Sequence, residues 1–287
     1  ALTEATDSVL VGYESGAAIT TGVKNVAVGS FALDALNTGS ENTAIGHQAL
    51  TSDTKGGRNV AIGHGTLSTQ NFTSATSSYN IAVGYNALNL NTTGPNNVAV
   101  GALALDANTT GGTNVAVGRG SLGANTTASN NVAIGDLSMV ANTEGHSNTA
   151  IGKGTLGANT TGTSNTAVGC DALANNTTAG ANTAVGRNSL RDNTTGSDNT
   201  AVGESSLREN ETGCCNAVLG ENAMTLNTSG CYNTSIGSFS LHNNTTADNN
   251  TAVGYQALKL NTTGAQNTAV GLDALRDTTT GCRNTAM

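Results

Sequence analysis

The chain has 287 residues, of which 37% are hydrophobic, 10% charged and 3% aromatic, and its net charge is −8. An acidic chain with no basic stripe has little to offer a phosphate backbone, and no run of 18 apolar residues is present to cross a membrane as a helix. The excess of Gly, Asn and Thr would alone suggest disorder. These residues recur in strict register, however, and stacked repeats bury together what one repeat cannot bury alone.

Residues 1–7 stand outside the repeat and read as an N-terminal extension. From there a pentad Asn–Thr/Val–Ala–Val/Ile–Gly recurs, and its glycines are Gly12, Gly29, Gly46, Gly63, Gly84, Gly101, Gly118, Gly135, Gly152, Gly169, Gly186, Gly203, Gly220, Gly237, Gly254 and Gly271. Every interval is 17 residues except Gly63 to Gly84, which is 21. Four residues are therefore inserted within 70–79, and a corner loop should absorb them without loss of register. The array makes sixteen turns and the start of another at 284–287. With the closing Gly as position 0, the turn reads Asn at −4, Ala at −2, Ala or Ser at +3, Leu at +4 and Asn-Thr-Thr-Gly at +7 to +10.

This period predicts an all-β fold, one parallel β-solenoid domain over 1–287. Seventeen extended residues give a perimeter of roughly 56 Å, and sixteen turns a rod of roughly 77 Å. Two short strands per turn are expected, at −4 to 0 and +2 to +6, with negligible helix. Alternation should turn the β-branched residues at −3 and −1 toward Leu at +4 in the core. Ala at −2 and Gly at 0 would then form an outer stripe, either a solvent face or a surface where a second copy packs closely. Gly at 0 and +10 should supply positive φ at the corners.

The Asn at −4 forms a row: Asn25, Asn42, Asn59, Asn80, Asn97, Asn114, Asn131, Asn148, Asn165, Asn182, Asn199, Asn216, Asn233, Asn250 and Asn267. Stacked amides bond from turn to turn, which makes this a structural ladder; a ligand-binding row is the other reading. At +7, Asn91, Asn108, Asn125, Asn159, Asn176, Asn193, Asn210, Asn227, Asn244 and Asn261 each open an Asn-x-Ser/Thr sequon. They read as corner chemistry or as glycosylation sites, although successive sites about 4.8 Å apart crowd bulky glycans. The Thr pairs at +8 and +9 offer an O-linked alternative.

Five cysteines are present: Cys170, Cys214, Cys215, Cys231 and Cys282. Cys214 and Cys231 share position +11 on adjacent turns, about 4.8 Å apart. That lies within the 4.4–6.8 Å Cα window of a disulfide, so this pair is the candidate bridge. The odd count leaves a free or intermolecular thiol. His47 and His64 share +1 on successive turns, as a metal pair or as two exposed loop residues; His146 and His242 stand apart. No nucleophile–base pattern, phosphate loop or zinc spacing appears. No enzyme activity, cofactor or metal is expected.

The pentads Asn165-Thr166-Ala167-Val168-Gly169 and Asn131-Val132-Ala133-Ile134-Gly135 resemble the head repeats of trimeric autotransporter adhesins. They are also similar to Asn-Thr-Ala-Val-Gly arrays of bacterial surface proteins and viral tail fibres. The resemblance implies a left-handed β-roll, three chains around one axis, and binding to matrix or host-cell surfaces.

Two functions follow as expectations. One is an extracellular or surface- or virion-associated structural or adhesive fibre. Its partners would be copies of itself, end to end or side by side, and a cell-surface or matrix ligand, with no nucleic acid and no membrane span. The other is an ice-binding solenoid using the Thr ladders at +8 and +9; Lys55, Glu144, Glu211 and Ala128 interrupt positions +8 to +10. A polysaccharide lyase would need charged clusters in a groove, and the sequence has none.

Overall fold

A computed structural model describes residues 7–287; the extension expected over 1–7 therefore lies outside the described residues but for Asp7. The chain is an all-β parallel solenoid of about 16 turns built on a 17-residue repeat, and no helix occurs among the described residues. Its contacts divide into two compact units, split between Glu144 and Gly145.

The first unit carries β1 (Val9–Val11), β2 (Val26–Val28), β3 (Thr43–Ile45), β4 (Gly56–Gly57), β5 (Val60–Ile62), β6 (Thr76–Ser77), β7 (Ile81–Val83), β8 (Val98–Val100), β9 (Val115–Val117) and β10 (Val132–Ile134). The second carries β11 (Thr149–Ile151), β12 (Thr166–Val168), β13 (Thr183–Val185), β14 (Thr200–Val202), β15 (Ala217–Leu219), β16 (Thr234–Ile236), β17 (Thr251–Val253), β18 (Thr268–Val270) and β19 (Thr285–Ala286). Pairing is parallel and in the register of the repeat: Ala99 faces Ala116 across β8 and β9, and Ala184 faces Ala201 across β13 and β14.

The faces of the strand are the reverse of the sequence expectation. Ala at −2 is the interior residue, with Ala99, Ala116, Ala184 and Ala201 fully buried. The β-branched residues at −3 and −1 point outward, and Val100, Val185 and Ile236 are 36–39% exposed. The interior is thin. Leu105, Leu122, Leu190 and Leu207 at +4 fill it from the opposite wall and are fully buried, which suits a small residue at −2, although Val218 is taken in at −2 of one turn with 2% exposure. Where Ser235 replaces that Ala, its buried hydroxyl meets Ser240 Oγ at 2.6 Å and the Ser240 carbonyl at 2.9 Å. A buried hydroxyl needs such a partner.

The second strand expected at +2 to +6 is also absent. Residues +2 and +4 instead adopt left-handed backbone: Leu103 and Leu105 have φ of 58° and 53°, Asn188 and Leu190 of 57° and 50°. Left-handed backbone costs a bulky residue about 1–2 kcal/mol. Full burial of the Leu, worth about 1.5–3 kcal/mol, offsets this. Bonding between turns also survives the bend. The Leu103 N–H donates to the Tyr85 carbonyl at 2.9 Å, Leu105 to Ser121 at 2.9 Å and Leu190 to Ser206 at 3.0 Å.

Gly at 0 does have positive φ, between 126° and 140°. A Cβ on fourteen of them, Gly29, Gly101 and Gly254 included, would lie within 2.3–2.7 Å of the next turn's glycine backbone, whereas one on Gly271 would meet nothing within 4 Å. Gly at +10 differs from expectation. It has no positive φ; it is small because a Cβ at Gly196, for example, would meet the Gly213 carbonyl oxygen at 2.2 Å. That demand is weaker, since Ala128, Ala179 and Ala247 occupy +10 in three turns.

The insertion at 70–79 leaves the register intact. The Asn80 N–H donates to Asn59 Oδ1 at 3.0 Å, and Val60 pairs with Ile81. The extra residues form β6, which pairs with β4 at the corner. Beneath it Asp53 is buried, accepting from the Gly56 N–H at 2.8 Å and Gln70 Nε2 at 2.7 Å.

Candidate functional site

Two rows of asparagine run through the interior of each unit and set the geometry of everything outside. At −4, Asn199 is typical. Its Oδ1 accepts the Asn216 N–H at 3.1 Å and Asn216 Nδ2 at 3.0 Å, while its Nδ2 crosses the interior to the Gly213 carbonyl at 2.9 Å. Most of these amides tie a strand to the far corner of its own turn and to the next turn; Asn250 differs, its buried Nδ2 having no partner. All fifteen of these side chains, from Asn25 to Asn267, are buried. A ligand row would need exposed amides, and these have none.

The +7 asparagines form the second row. Asn193 Nδ2 donates to the Gly196 carbonyl at 2.9 Å and to Asn176 Oδ1 at 3.0 Å. The same Gly196 carbonyl accepts from Asn182 Nδ2 at 2.9 Å, so the two rows converge on the +10 carbonyl. This corrects the glycosylation reading. Asn91, Asn108, Asn125, Asn159, Asn176, Asn193, Asn210, Asn227, Asn244 and Asn261 are fully buried, and a sugar on Nδ2 would have to leave this network. The row ends at Asn261, whose buried Oδ1 has no partner because Thr278 stands at the next +7.

The threonines at +8 are likewise committed. Thr92, Thr177 and Thr262 donate through Oγ1 to the carbonyl at +8 of the following turn at 2.9, 3.1 and 3.0 Å. Only the +9 hydroxyls stand clear at the corner, so a flat Thr ladder does not exist where the sequence placed it.

The extended outer surface is instead the strand face. In the first unit the −3 rank is mainly aliphatic, with Val26, Val60, Ile81, Val98, Val115 and Val132. In the second it is mainly threonine, with Thr149, Thr166, Thr183, Thr200, Thr234, Thr251 and Thr268. The −1 rank is Val, Ile or Leu in both. No charged residue occupies either rank. Charges flank the face at −5 and +1, where Arg58 pairs with Glu41 and Arg119 with Asp136, both at 2.9 Å. The pattern offered two signals for this surface: charge never enters −3 or −1, and Thr and Val interchange at −3, which a sealed core would not allow.

His47 and His64 are exposed and stack with ring centroids 5.2 Å apart, within a column that continues to Tyr85 at 5.5 Å. His146 is exposed, and His242 Nδ1 lies 2.9 Å from the Asn222 carbonyl. Among the described residues no three His, Cys, Asp or Glu side chains converge as metal ligands. A polar depression of about 210 Å³ lies beside the insertion, lined by Ser40, Glu41, Lys55, Arg58 and Ser77 among others. Its Arg58 is already bonded to Glu41, Ser77 and Tyr79.

Cys214 and Cys231, the candidate disulfide, are free thiols with sulfurs 2.9 Å apart. The bond to Cys231, with burial second, pushes the Cys214 thiol up to about 12. Cys170, Cys215 and Cys282 are exposed.

No family model, no curated protein and no solved structure matches the chain.

Proposed function

We propose that this chain is a self-associating structural or adhesive fibre protein of an extracellular, cell-surface or virion setting, whose copies pack side by side through the outward ranks at −3 and −1. The observation that carries this reading is the absence of charge from both ranks, on a face whose Val100, Ile134 and Ile45 are 37–38% exposed. An apolar strip rimmed by charged and polar groups has the composition of an interface core and its rim. A strip that repeats with every turn also complements another copy of itself. The Ala rank of the stripe first considered for this purpose is interior, so the lateral route moves to the opposite strand face. The adhesin-like pentads agree with this reading.

Sedimentation velocity of the full chain at micromolar concentration tests it. A defined oligomer is expected, and Val100→Glu with Ile134→Glu should convert it to monomer while the circular dichroism spectrum is unchanged. A monomeric parent chain overturns the proposal.

The threonine rank of the second unit favours ice binding as a second reading. Thr149 to Thr268 repeat beside an aliphatic rank at about 4.8 Å along the stack, an arrangement suited to ordering water on a flat surface. Thermal hysteresis that falls in Thr183→Lys supports this reading; no hysteresis in the parent chain removes it.

A further inference from the structure

Position +11 carries a backbone N–H that finds its acceptor in the side chain at +11 of the next turn. The Gly112 N–H donates to Ser129 Oγ at 3.0 Å, and the Gly180 N–H to Ser197 Oγ at 3.3 Å. Cysteine takes this place on two successive turns. Cys231 Sγ accepts the Cys214 N–H at 2.9 Å and lies 2.9 Å from Cys214 Sγ. The two side chains are half-buried and in contact. Equivalent Cα atoms of adjacent turns stand about 4.8 Å apart, inside the range a disulfide spans.

The two sulfurs are not equivalent. Hydrogen bonds to a thiolate favour it, and a thiol that donates is held protonated. Cys231 is the acceptor, and the bond to it is the largest cause of the raised Cys214 thiol. The Asp248 carboxylate beside this site is occupied by the Cys231 N–H at 2.7 Å.

We propose that Cys214 and Cys231 form a dithiol modification site that a small disulfide of the glutathione type oxidises to a turn-to-turn disulfide, with Cys231 as the attacking and Cys214 as the resolving thiol. The Cys231 thiolate attacks one sulfur of the small disulfide, whose S–S bond breaks and releases one thiolate. The resolving sulfur, 2.9 Å from Cys231 Sγ in the dithiol, stands within reach of the mixed disulfide. Cys214 loses its proton to water, attacks Cys231 Sγ and expels the second thiolate. The protein gives up two electrons and two protons, and the small disulfide becomes two thiols, as thiol–disulfide exchange requires.

Incubation of the reduced full chain with oxidised glutathione, followed by thiol titration and peptide mapping, tests the proposal. The chain should lose two of its five thiols, retain no glutathione and show a Cys214–Cys231 cross-link. Cys214→Ser should trap one glutathione on Cys231, and Cys231→Ser should leave Cys214 as a thiol. Cys215→Ser should cross-link as the parent does, which separates this pairing from one between neighbours in sequence. A stable glutathione adduct on the parent chain, a bridge to Cys215, or Cys214→Ser with no adduct on Cys231 overturns the assignment. Unchanged circular dichroism shows that each variant is folded.

Discussion

Gly254→Ala and Gly271→Ala separate two reasons for a glycine that recurs in every turn. Both residues close a pentad, with φ of 134° and 128°. The backbone penalty of an L residue is therefore shared, at about 1–3 kcal/mol. Their surroundings differ. A Cβ on Gly254 would lie 2.3 Å from the Gly271 carbonyl oxygen and 2.6 Å from its carbon, whereas one on Gly271 meets nothing within 4 Å.

Relieving the contact at Gly254 means moving two turns apart beside the bond from the Gly271 N–H to the Val253 carbonyl, now 2.8 Å. Overpacking of this kind costs about 1–3 kcal/mol. Gly254→Ala should then cost about 2–6 kcal/mol and Gly271→Ala about 1–3 kcal/mol. Amide exchange of the last turns, with urea unfolding of the whole chain, reads the difference. Exchange is the better measure, because a stack of repeats need not unfold in one step. Equal costs would refute the close approach between turns as the reason for glycine and leave φ alone.

Two further outcomes follow from the interior and from one corner. Asn199→Ala removes the acceptor of the Asn216 N–H, whereas the Gly213 carbonyl keeps its bond from Asn210 Nδ2; one buried group left unpaired should cost about 1–3 kcal/mol in urea unfolding, while Thr195→Ala at the exposed +9 corner changes little. Burial is the largest cause raising the Asp106 carboxyl above its ordinary value of 3.8. The folded chain therefore holds that proton more tightly than the unfolded chain, so the charged form destabilises it at neutral pH and the penalty disappears as pH falls below 3.8. Asp106→Asn should raise the melting midpoint slightly at pH 7 and leave it unchanged at about pH 3; an equal gain at both values would refute burial of charge as the cause.

The period, the single inserted corner and the two asparagine rows were legible because each depends on spacing. A residue recurring every 17 positions must stack on itself in a parallel coil, whatever its chemistry. The direction of the strand was not legible from residue type. Val and Ile at −1 have the shape of core residues, and Ala at −2 has the size of a surface filler. The choice between them is made by the far wall, where each Leu at +4 already fills the thin interior. That Leu is itself held in left-handed backbone, which no propensity for leucine suggests. Of the two readings of the sequons, spacing supported corner chemistry but could not show that the corner turns each amide inward to the +10 carbonyl, away from a sugar.

The asparagine rows also bear on why the outer face supports a proposal of association. Side-chain bonds between turns and backbone bonds between turns hold each coil together, and one Leu with a few methyl groups fills it. Nothing in that interior requires Val, Ile or Thr at −3 and −1, since these side chains point away from it. β-branched residues do favour the strand, and strand preference explains their presence in part. It does not explain the exclusion of charge, because Lys and Glu are tolerated on the solvent face of strands and are the usual protection against edge and face aggregation. The neighbouring rows at −5 and +1 accept Lys24, Glu41, Arg58, Arg119, Asp136, Lys153 and Glu204 within a residue or two of the same strands. Absence of charge from both outward ranks of the strand, with charge accepted at −5 and +1 on either side of it, is the pattern expected of a face that spends its time covered.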